Sequence, residues 1–272
     1  SIRWSLDHTA YTQRVNAVKQ HIAEGDIYQA NLTMRAEANS DASPQQVYRC
    51  LRKLNPAPNS AFINIGSLQI LSSSPERMLL RDGDFVTTSP IKGTIPVGDT
   101  PAQSARRRHE LLHSEKDRAE LLMIVDLLRN DLGRVARHGT VRVDHLFRVE
   151  TYSSVLHLVS DISCRLRPEI DLTALCRAVM PGGSITGAPK RRAVEILQQQ
   201  ETVPRGIYTG CIGYVAGERA EFNIAIRTMT HHGGVYHLHA GGGIVADSTA
   251  DGEQAETLLK ARNLTRALGG SW

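Results

Sequence analysis

In two places strand-like runs lie on both sides of a tight glycine turn. Met78 to Arg81 and Phe85 to Thr88 flank Asp82-Gly83. AEFNIAIRTMT, from Ala220, alternates and passes through the turn His231-His232-Gly233-Gly234 into VYHLHAGG. Strand-like runs joined this closely are hairpins, and hairpin strands pair antiparallel. Ala61 to Leu71 reads as one more strand, and Val141 to Ile162 as largely extended. Helical spacing appears elsewhere. Tyr11, Val15, Val18 and Ile22 predict a helix from about Thr9 to Glu24, stopped by Gly25. Ser43 as N-cap before Pro44 starts a second, with Val47, Leu51 and Leu54 inward. Further helices are expected from Pro101, from about Ser114, over Leu172 to Met180, over Pro189 to Gln200, and from about Gly252 to Leu268. The last has Asp251 as its expected N-cap, with Gln254 three residues on. Strands and helices do not alternate regularly, so a doubly wound nucleotide fold is excluded. The expected class is α+β, with antiparallel β-sheets packed together and flanked by helices. No repeat, low-complexity tract or linker divides the chain, so residues 1–272 are expected to form a single domain.

Composition narrows the function. Hydrophobic residues make up 41% and charged residues 22%, which excludes a disordered or fibrous chain. The net charge of +4 is small, aromatics are only 5%, and no basic run interleaves with aromatics, so nucleic acid is not an expected partner. The longest apolar stretches are interrupted, as Asp126 interrupts Leu121 to Leu128, so no membrane span is expected. The N-terminus SIRWSLDHTA has no apolar signal core and no initiator Met, as expected of a processed or excised chain. Cys50, Cys164, Cys176 and Cys211 are far apart with no CxxC pair. They are expected to be reduced, mostly buried thiols of a cytoplasmic protein.

Several segments carry candidate chemistry. PGGSITGAPK, from Pro181, is neither a P-loop nor a dinucleotide fingerprint. Its Gly182, Gly183, Ser184 and Thr186 precede a helix whose first turn is expected to hold Pro189. Backbone N–H groups there suit an anion, and a structural turn is the alternative. The glycines of AGGGI, from Ala240, allow a ligand close to the backbone, or mark a bulge. Glu253 and Glu256 share a helix face, and with Glu120 they form a hard-oxygen set suited to Mg²⁺. Glu256 is equally suited to a surface pair with Lys260, and Glu120 alone to a solvated helix face. Arg227 is expected on the polar face of the alternating strand with Glu221, Asn223 and Ala225, as a carboxylate clamp or a solvent-facing charge. Lys92, in a rigid loop between Pro90 and Gly93, is a nucleophile if desolvated. His237 and His239 share a strand face without a third metal ligand in sight.

In order along the chain stand GDIYQANL at Gly25, SPER at Ser74, PIKGT at Pro90, KDRAELLMIVDLLRNDLGRV at Lys116, HLVSDI at His157, PGGSITGAPK at Pro181, IRT at Ile226, and AGGGIVADS at Ala240 followed by Glu253, Glu256 and Lys260. Together they resemble the chorismate-utilising enzymes over essentially the whole chain. In this family the isochorismate and salicylate synthases carry Lys where this chain has Gln29 and Glu where it has Ser89. Anthranilate synthases usually carry Ala where it has Lys92. The sequence is therefore similar to the branch that aminates chorismate to 4-amino-4-deoxychorismate for para-aminobenzoate and folate synthesis, with anthranilate synthase component I or a non-catalytic chorismate-binding fragment as alternatives. The resemblance implies that Glu120 and Glu256 hold Mg²⁺, with Glu253 acting through water. It implies that Tyr208, Arg227, Lys260 and the backbone of Gly241 and Gly243 grip the substrate carboxylates, with Gly183 and Thr186 also at the substrate. Lys92 becomes the nucleophile and His157 the acid or base, and a glutamine amidotransferase partner supplies ammonia. Departures from the family pattern are Val97 in place of an arginine after PIKGT, Leu121 after Glu120, and Gln254 after Glu253. Typical members also have an N-terminal subdomain that is expected to lie outside these residues.

Overall fold

The computed structural model describes residues 2–152 and 155–269. In chain order the elements begin with β1 (Ile2–Trp4), α1 (His8–Ala23), β2 (Gln29–Asn39), α2 (Pro44–Leu54), β3 (Asn59–Ile65), β4 (Leu68–Ser74), β5 (Arg77–Asp82) and β6 (Phe85–Ser89). There follow β7 (Ile91–Pro96), α3 (Pro101–His113), α4 (Glu115–Gly133), β8 (Arg142–Thr151), β9 (Val155–Arg165) and α5 (Leu172–Val179). The chain ends with β10 (Gly187–Ala188), α6 (Lys190–Gln200), β11 (Cys211–Ala216), β12 (Arg219–Ile224), β13 (Thr228–His232), β14 (Val235–Ile244) and α7 (Ala250–Ala267). They gather into two compact units. The first is built from the described parts of 1–75, 181–212 and 223–272, the second from those of 76–180 and 213–222. Neither unit is continuous in sequence, so no linker marks the change from one to the other.

The first unit is organised by a sheet in the order β1-β2-β14-β13-β4-β3, with β10 on β2. Its spine is the β2–β14 pair, in unbroken antiparallel register from Val235↔Asn39 to Ile244↔Ala30. Side chains alternate across a strand, so each strand presents two different faces. Ala30, Leu32, Met34, Ala36 and Ala38 share one face of β2 with Tyr236, Leu238, Ala240 and Ile244 of β14, and all are buried. Tyr11, Val15 and Val18 of α1 and Ala193, Ile196 and Leu197 of α6 cover one end of that face. Val47 and Leu51 of α2 and Ala261 and Leu264 of α7 cover the other. The opposite face is polar: Gln29, Asn31, Thr33, Arg35 and Glu37 on β2, with Gly243, Gly241, His239 and His237 opposite the last four.

The second unit carries a sheet in the order β11-β12-β5-β6-β9-β7, with β8 on β9. Helix α4 lies against β7, β9 and α5. It buries Leu121, Ile124, Val125, Leu128 and Leu132. Ser114 accepts from the Asp117 amide at its N-terminus, and Glu115 and Asp117 add negative charge to the first turn.

The expected α+β class and its antiparallel sheets are present, and most element positions agree within a residue or two. Ser43 forms a full capping box with Gln46. The turn expected over His231-His232-Gly233-Gly234 is shorter: His231 and His232 end β13, and Gly233 and Gly234 alone, at φ +58° and +81°, make the two-residue hairpin turn. Three other expectations are corrected. Ala61 to Leu71 is not one strand: Gly66 adopts φ +62° and folds the segment into the β3–β4 hairpin. Asp251 is not the cap of the last helix. Thr249 accepts from the Gly252 amide, and Asp251 sits in the first turn, where its charge complements the helix dipole. Pro189 lies one residue before α6, as its N-cap. Residues 153 and 154 of the expected extended stretch lie outside the described residues. Of the four free cysteines only Cys164 is buried; the other three are partly exposed. Among the described residues, no helix is long and apolar enough to cross a membrane.

Candidate active site

In the second unit three candidates sit on adjoining elements. Lys92 is not in a loop but within β7, where the register against β9 shifts between Ile91 and Thr94. That bulge accommodates Gly93 at φ +79°, where an added Cβ would meet the Asp117 side chain at 2.9 Å. The Lys92 side chain is 15% exposed, and its Nζ lies 3.7 Å from Glu120 Oε2. Glu120, on α4, is 21% exposed, and its other oxygen lies 4.0 Å from Lys116 Nζ. It is therefore not a freely solvated helix residue. His157 is buried on β9 opposite Thr94, whose hydroxyl lies 2.8 Å from Nδ1. The Tyr152 ring meets it edge-on at 5.4 Å. Ser89, at the end of β6, donates to Asp161 at 2.8 Å.

The first unit brings together most of the remaining candidates. Glu256 and Lys260, one turn apart on α7, form the expected pair at 2.6 Å. Lys260 Nζ also donates to the Gly241 carbonyl at 3.1 Å. Arg227 Nη1 donates to the Lys260 carbonyl. The alternating strand expected through Arg227 does not exist. β12 ends at Ile224, β13 begins at Thr228, and Arg227 between them takes φ +51°. The sequence pattern ran on because Ile224 and Thr228 happen to keep its phase across the break. Burial draws the Arg227 guanidinium below its ordinary range, opposed by the neighbouring Tyr208 and the Glu256 carboxylate. Burial pushes the Tyr208 phenol up to about 12, against the pull of Arg205 and Arg227. Tyr208 stacks on His239 with ring centroids 5.2 Å apart.

Close approach accounts for two glycines of AGGGI. No bulge interrupts β14 at AGGGI. A Cβ on Gly241 would lie 2.2 Å from the Leu32 carbonyl oxygen, and one on Gly242 would lie 2.5 Å from Glu253 Oε2. Glu253 is buried and accepts from Ser248 Oγ at 2.6 Å. Gly183 opens a single 3-10 turn, Gly183–Ile185. Thr186 follows, buried, with its hydroxyl donating to the Gly182 carbonyl at 2.7 Å. Its own carbonyl accepts from the Asn31 amide at 2.7 Å, which ties the turn to β2. Gln29, beside it on β2, is completely buried, and its amide finds no hydrogen-bond partner among the described residues. A buried amide in that condition points to a missing polar partner.

The sequence profile of the chorismate binding enzyme family matches residues 1–266. The chain belongs to this family. Anthranilate synthase component 1 1 of Haloarcula marismortui is 46% identical over 260 residues, covering 95% of this chain and 53% of that protein. Aminodeoxychorismate synthase component 1 of Bacillus subtilis is 42% identical over 259 residues, covering 95% and 55%. Anthranilate synthase component I from Streptococcus pneumoniae TIGR4 has the same fold, at a TM-score of 0.91 and 35% identity, over 98% of this chain and 59% of that one. The chain spans a little over half the length of these relatives.

Two features of this family member had no clear signal in its sequence. Thr209, next to Tyr208, holds φ +65°, a conformation rare for a β-branched residue. His239 reads as a strand histidine, yet it is buried against Tyr208. Burial, with help from Arg35 and Arg205, draws its imidazole down to about 4. The folded state therefore takes up the proton later than the unfolded chain does on acidification. Stability from this group is present above the unfolded value near 6.5 and is lost as pH falls toward 4, on the order of 3 kcal/mol in all. Thermal unfolding followed by circular dichroism across that window is expected to show a steeper loss for the wild type than for His239→Gln. Equal slopes would remove His239 as the cause.

Proposed function

We propose that this chain catalyses the amination of chorismate to 4-amino-4-deoxychorismate. What supports the reading above all is Lys92: a lysine largely withdrawn from water, in a strand bulge, with a carboxylate as its neighbour. On the family resemblance, the neutral Lys92 amine attacks C2 of chorismate, both ring double bonds shift by one position, and the C4 hydroxyl leaves as water with a proton from protonated His157. Ammonia then attacks C4, both double bonds shift back, the C2–Nζ bond breaks to release the Lys92 amine, and the new C4 ammonium returns a proton to His157. The enolpyruvyl group is retained. Thr94 holds the His157 Nδ1 side, so the imidazole's other nitrogen is directed to the proton transfer. Arg227, Lys260, Tyr208 and the backbone of Gly241 and Gly243 bind the two carboxylates of the substrate, with Gly183 and Thr186 also at the substrate. Gln29 offers a neutral amide where water addition would require a base, which favours amination.

Glu120, Glu256 and Glu253 are the residues that would hold Mg²⁺. They fit a hard divalent cation, since all are carboxylates and two of them already attract ammonium groups. When bound, such an ion supplies charge neutralisation and orientation for the ring carboxylate. A glutamine amidotransferase partner in the cytoplasm is the proposed source of ammonia.

The 46% identity to an anthranilate synthase component favours a second reading, in which amination is at C2 and pyruvate is eliminated. Incubation with chorismate, Mg²⁺ and ammonium, with products identified by mass spectrometry, separates the two. Aminodeoxychorismate is expected; anthranilate with pyruvate would establish the second reading, and no turnover would overturn both. In the same assay Arg227→Ala is expected to raise KM for chorismate by roughly tenfold or more, as loss of a carboxylate clamp should. An unchanged KM would remove Arg227 from the substrate.

A further inference from the structure

Among the described residues of the first unit, one heavily bonded side chain is not used by the proposed chemistry. Arg205 lies in the segment between α6 and β11, 16% exposed, and faces Glu201, 10% exposed, at 2.6 Å. An arginine has five N–H donors in a fixed fork. Here all five are engaged, and on four different pieces of chain. Nε donates to Glu201 Oε2 at 2.9 Å. Nη2 donates to Glu201 Oε1 at 2.6 Å and to the Asn31 carbonyl at 2.6 Å. Nη1 donates to the Ile185 carbonyl at 2.7 Å and to Thr209 Oγ1 at 3.4 Å. Glu201 completes the network by accepting from the Thr33 amide at 3.0 Å and the Thr33 hydroxyl at 2.9 Å.

Each contact leads to a residue of the substrate-binding group. Ile185 closes the 3-10 turn that runs from Gly183 to Thr186. Asn31 and Thr33 stand directly opposite Gly243 and Gly241 in the β2–β14 register. Thr209 follows Tyr208, to whose carbonyl its hydroxyl donates at 2.5 Å. Its amide donates to the Ala225 carbonyl at 3.0 Å, and the Ala225 amide returns a bond to Gly210 at 2.9 Å. That exchange links Thr209 at φ +65° to the turn that sets Arg227 at φ +51°. Both residues hold a costly backbone conformation, which persists only where the surroundings over-determine it. Arg205 itself has no donor left for a substrate, and Glu201 neutralises its charge.

We propose that Arg205, with Glu201, is the positioning residue that fixes the Gly183–Thr186 turn, the partners of Gly241 and Gly243, and the Tyr208 corner in one geometry for binding the substrate's carboxylates. The inference rests on the chorismate reading above. Lysine keeps the charge but cannot span four acceptors from one plane. Arg205→Lys is therefore expected to raise KM for chorismate by about tenfold with a smaller change in kcat, as a displaced binding group does. Thr209→Gly relieves the positive φ and removes one arm of the network. It is expected to keep or raise the unfolding temperature while KM rises at least threefold, a split that a purely structural role would not give. Folded Arg205→Lys or Thr209→Gly with KM within twofold of wild type overturns the inference, and Thr209→Gly decides alone if Arg205→Lys does not fold. The wild type run beside them separates the two levels: if it leaves chorismate unchanged, the functional reading fails and the positioning role fails with it.

Discussion

Lys92→Ala is expected to lower the rate of aminodeoxychorismate formation by roughly a hundredfold to ten-thousandfold, about 3 to 5 kcal/mol on the barrier. The step that fails is the first bond to C2, because alanine carries no nucleophile and, among the described residues of the second unit, no other amine lies as close to Glu120 Oε2 as Lys92. Lys92→Arg is expected to be equally inactive. A guanidinium retains charge beside Glu120 but does not lose a proton to become a nucleophile. Folding should survive in both, since Glu120 keeps Lys116 as a partner and the bulge is set by the backbone at Gly93. The measurement is product formation by mass spectrometry from chorismate, Mg²⁺ and ammonium, with circular dichroism to show that the variants are folded. Activity of Lys92→Ala within tenfold of wild type would sink the covalent route and leave direct attack by ammonia.

Gly187→Ala is expected to be the most damaging single methyl group in the first unit. Gly187 pairs with Ala30 at the junction of β10 and β2 and holds φ +152°. A Cβ there would lie 2.1 Å from the Gln29 carbonyl oxygen and 2.7 Å from the Ala193 side chain. Neither neighbour can yield: one is backbone in a sheet, the other is a fully buried side chain of α6 itself. The expected loss is more than about 3 kcal/mol, which for a chain of this size lowers the unfolding temperature by roughly 6 to 12 °C. Gly217→Ala is the control. It also has positive φ, +61°, but open space around it, and a loss of only about 1 to 2 kcal/mol is expected. Equal losses for the two, read from thermal unfolding, would show that φ rather than crowding decides the effect. The same glycine follows Thr186 directly after the Gly183–Ile185 turn and pairs with Ala30 of β2.

Local signals made most of the framework legible. Tyr11, Val15 and Val18 repeat at helical spacing because one face of α1 must be apolar, and Gly233-Gly234 announces its hairpin because only such residues take two successive positive φ values easily. The ordered motifs from GDIYQANL to AGGGIVADS pointed to chorismate chemistry for a similar reason: each is a short stretch whose residue types suffice to mark it. The sequence alone therefore determined the fold class, nearly all the helices and the identity of the candidate groups. It did not determine how they are held. Ile224 to Thr228 kept an alternating pattern through a break in the strand, since side-chain polarity carries no record of Arg227 turning to φ +51°. Ala61 to Leu71 hid a hairpin because a lone Gly66 is a weak turn signal. Arg205 was silent, since its five donors reach residues as far as 174 positions away. Tertiary structure decided these features for one physical reason: a buried guanidinium or a strained backbone is tolerated only when acceptors from distant segments converge on it, and that convergence exists only once the chain has folded.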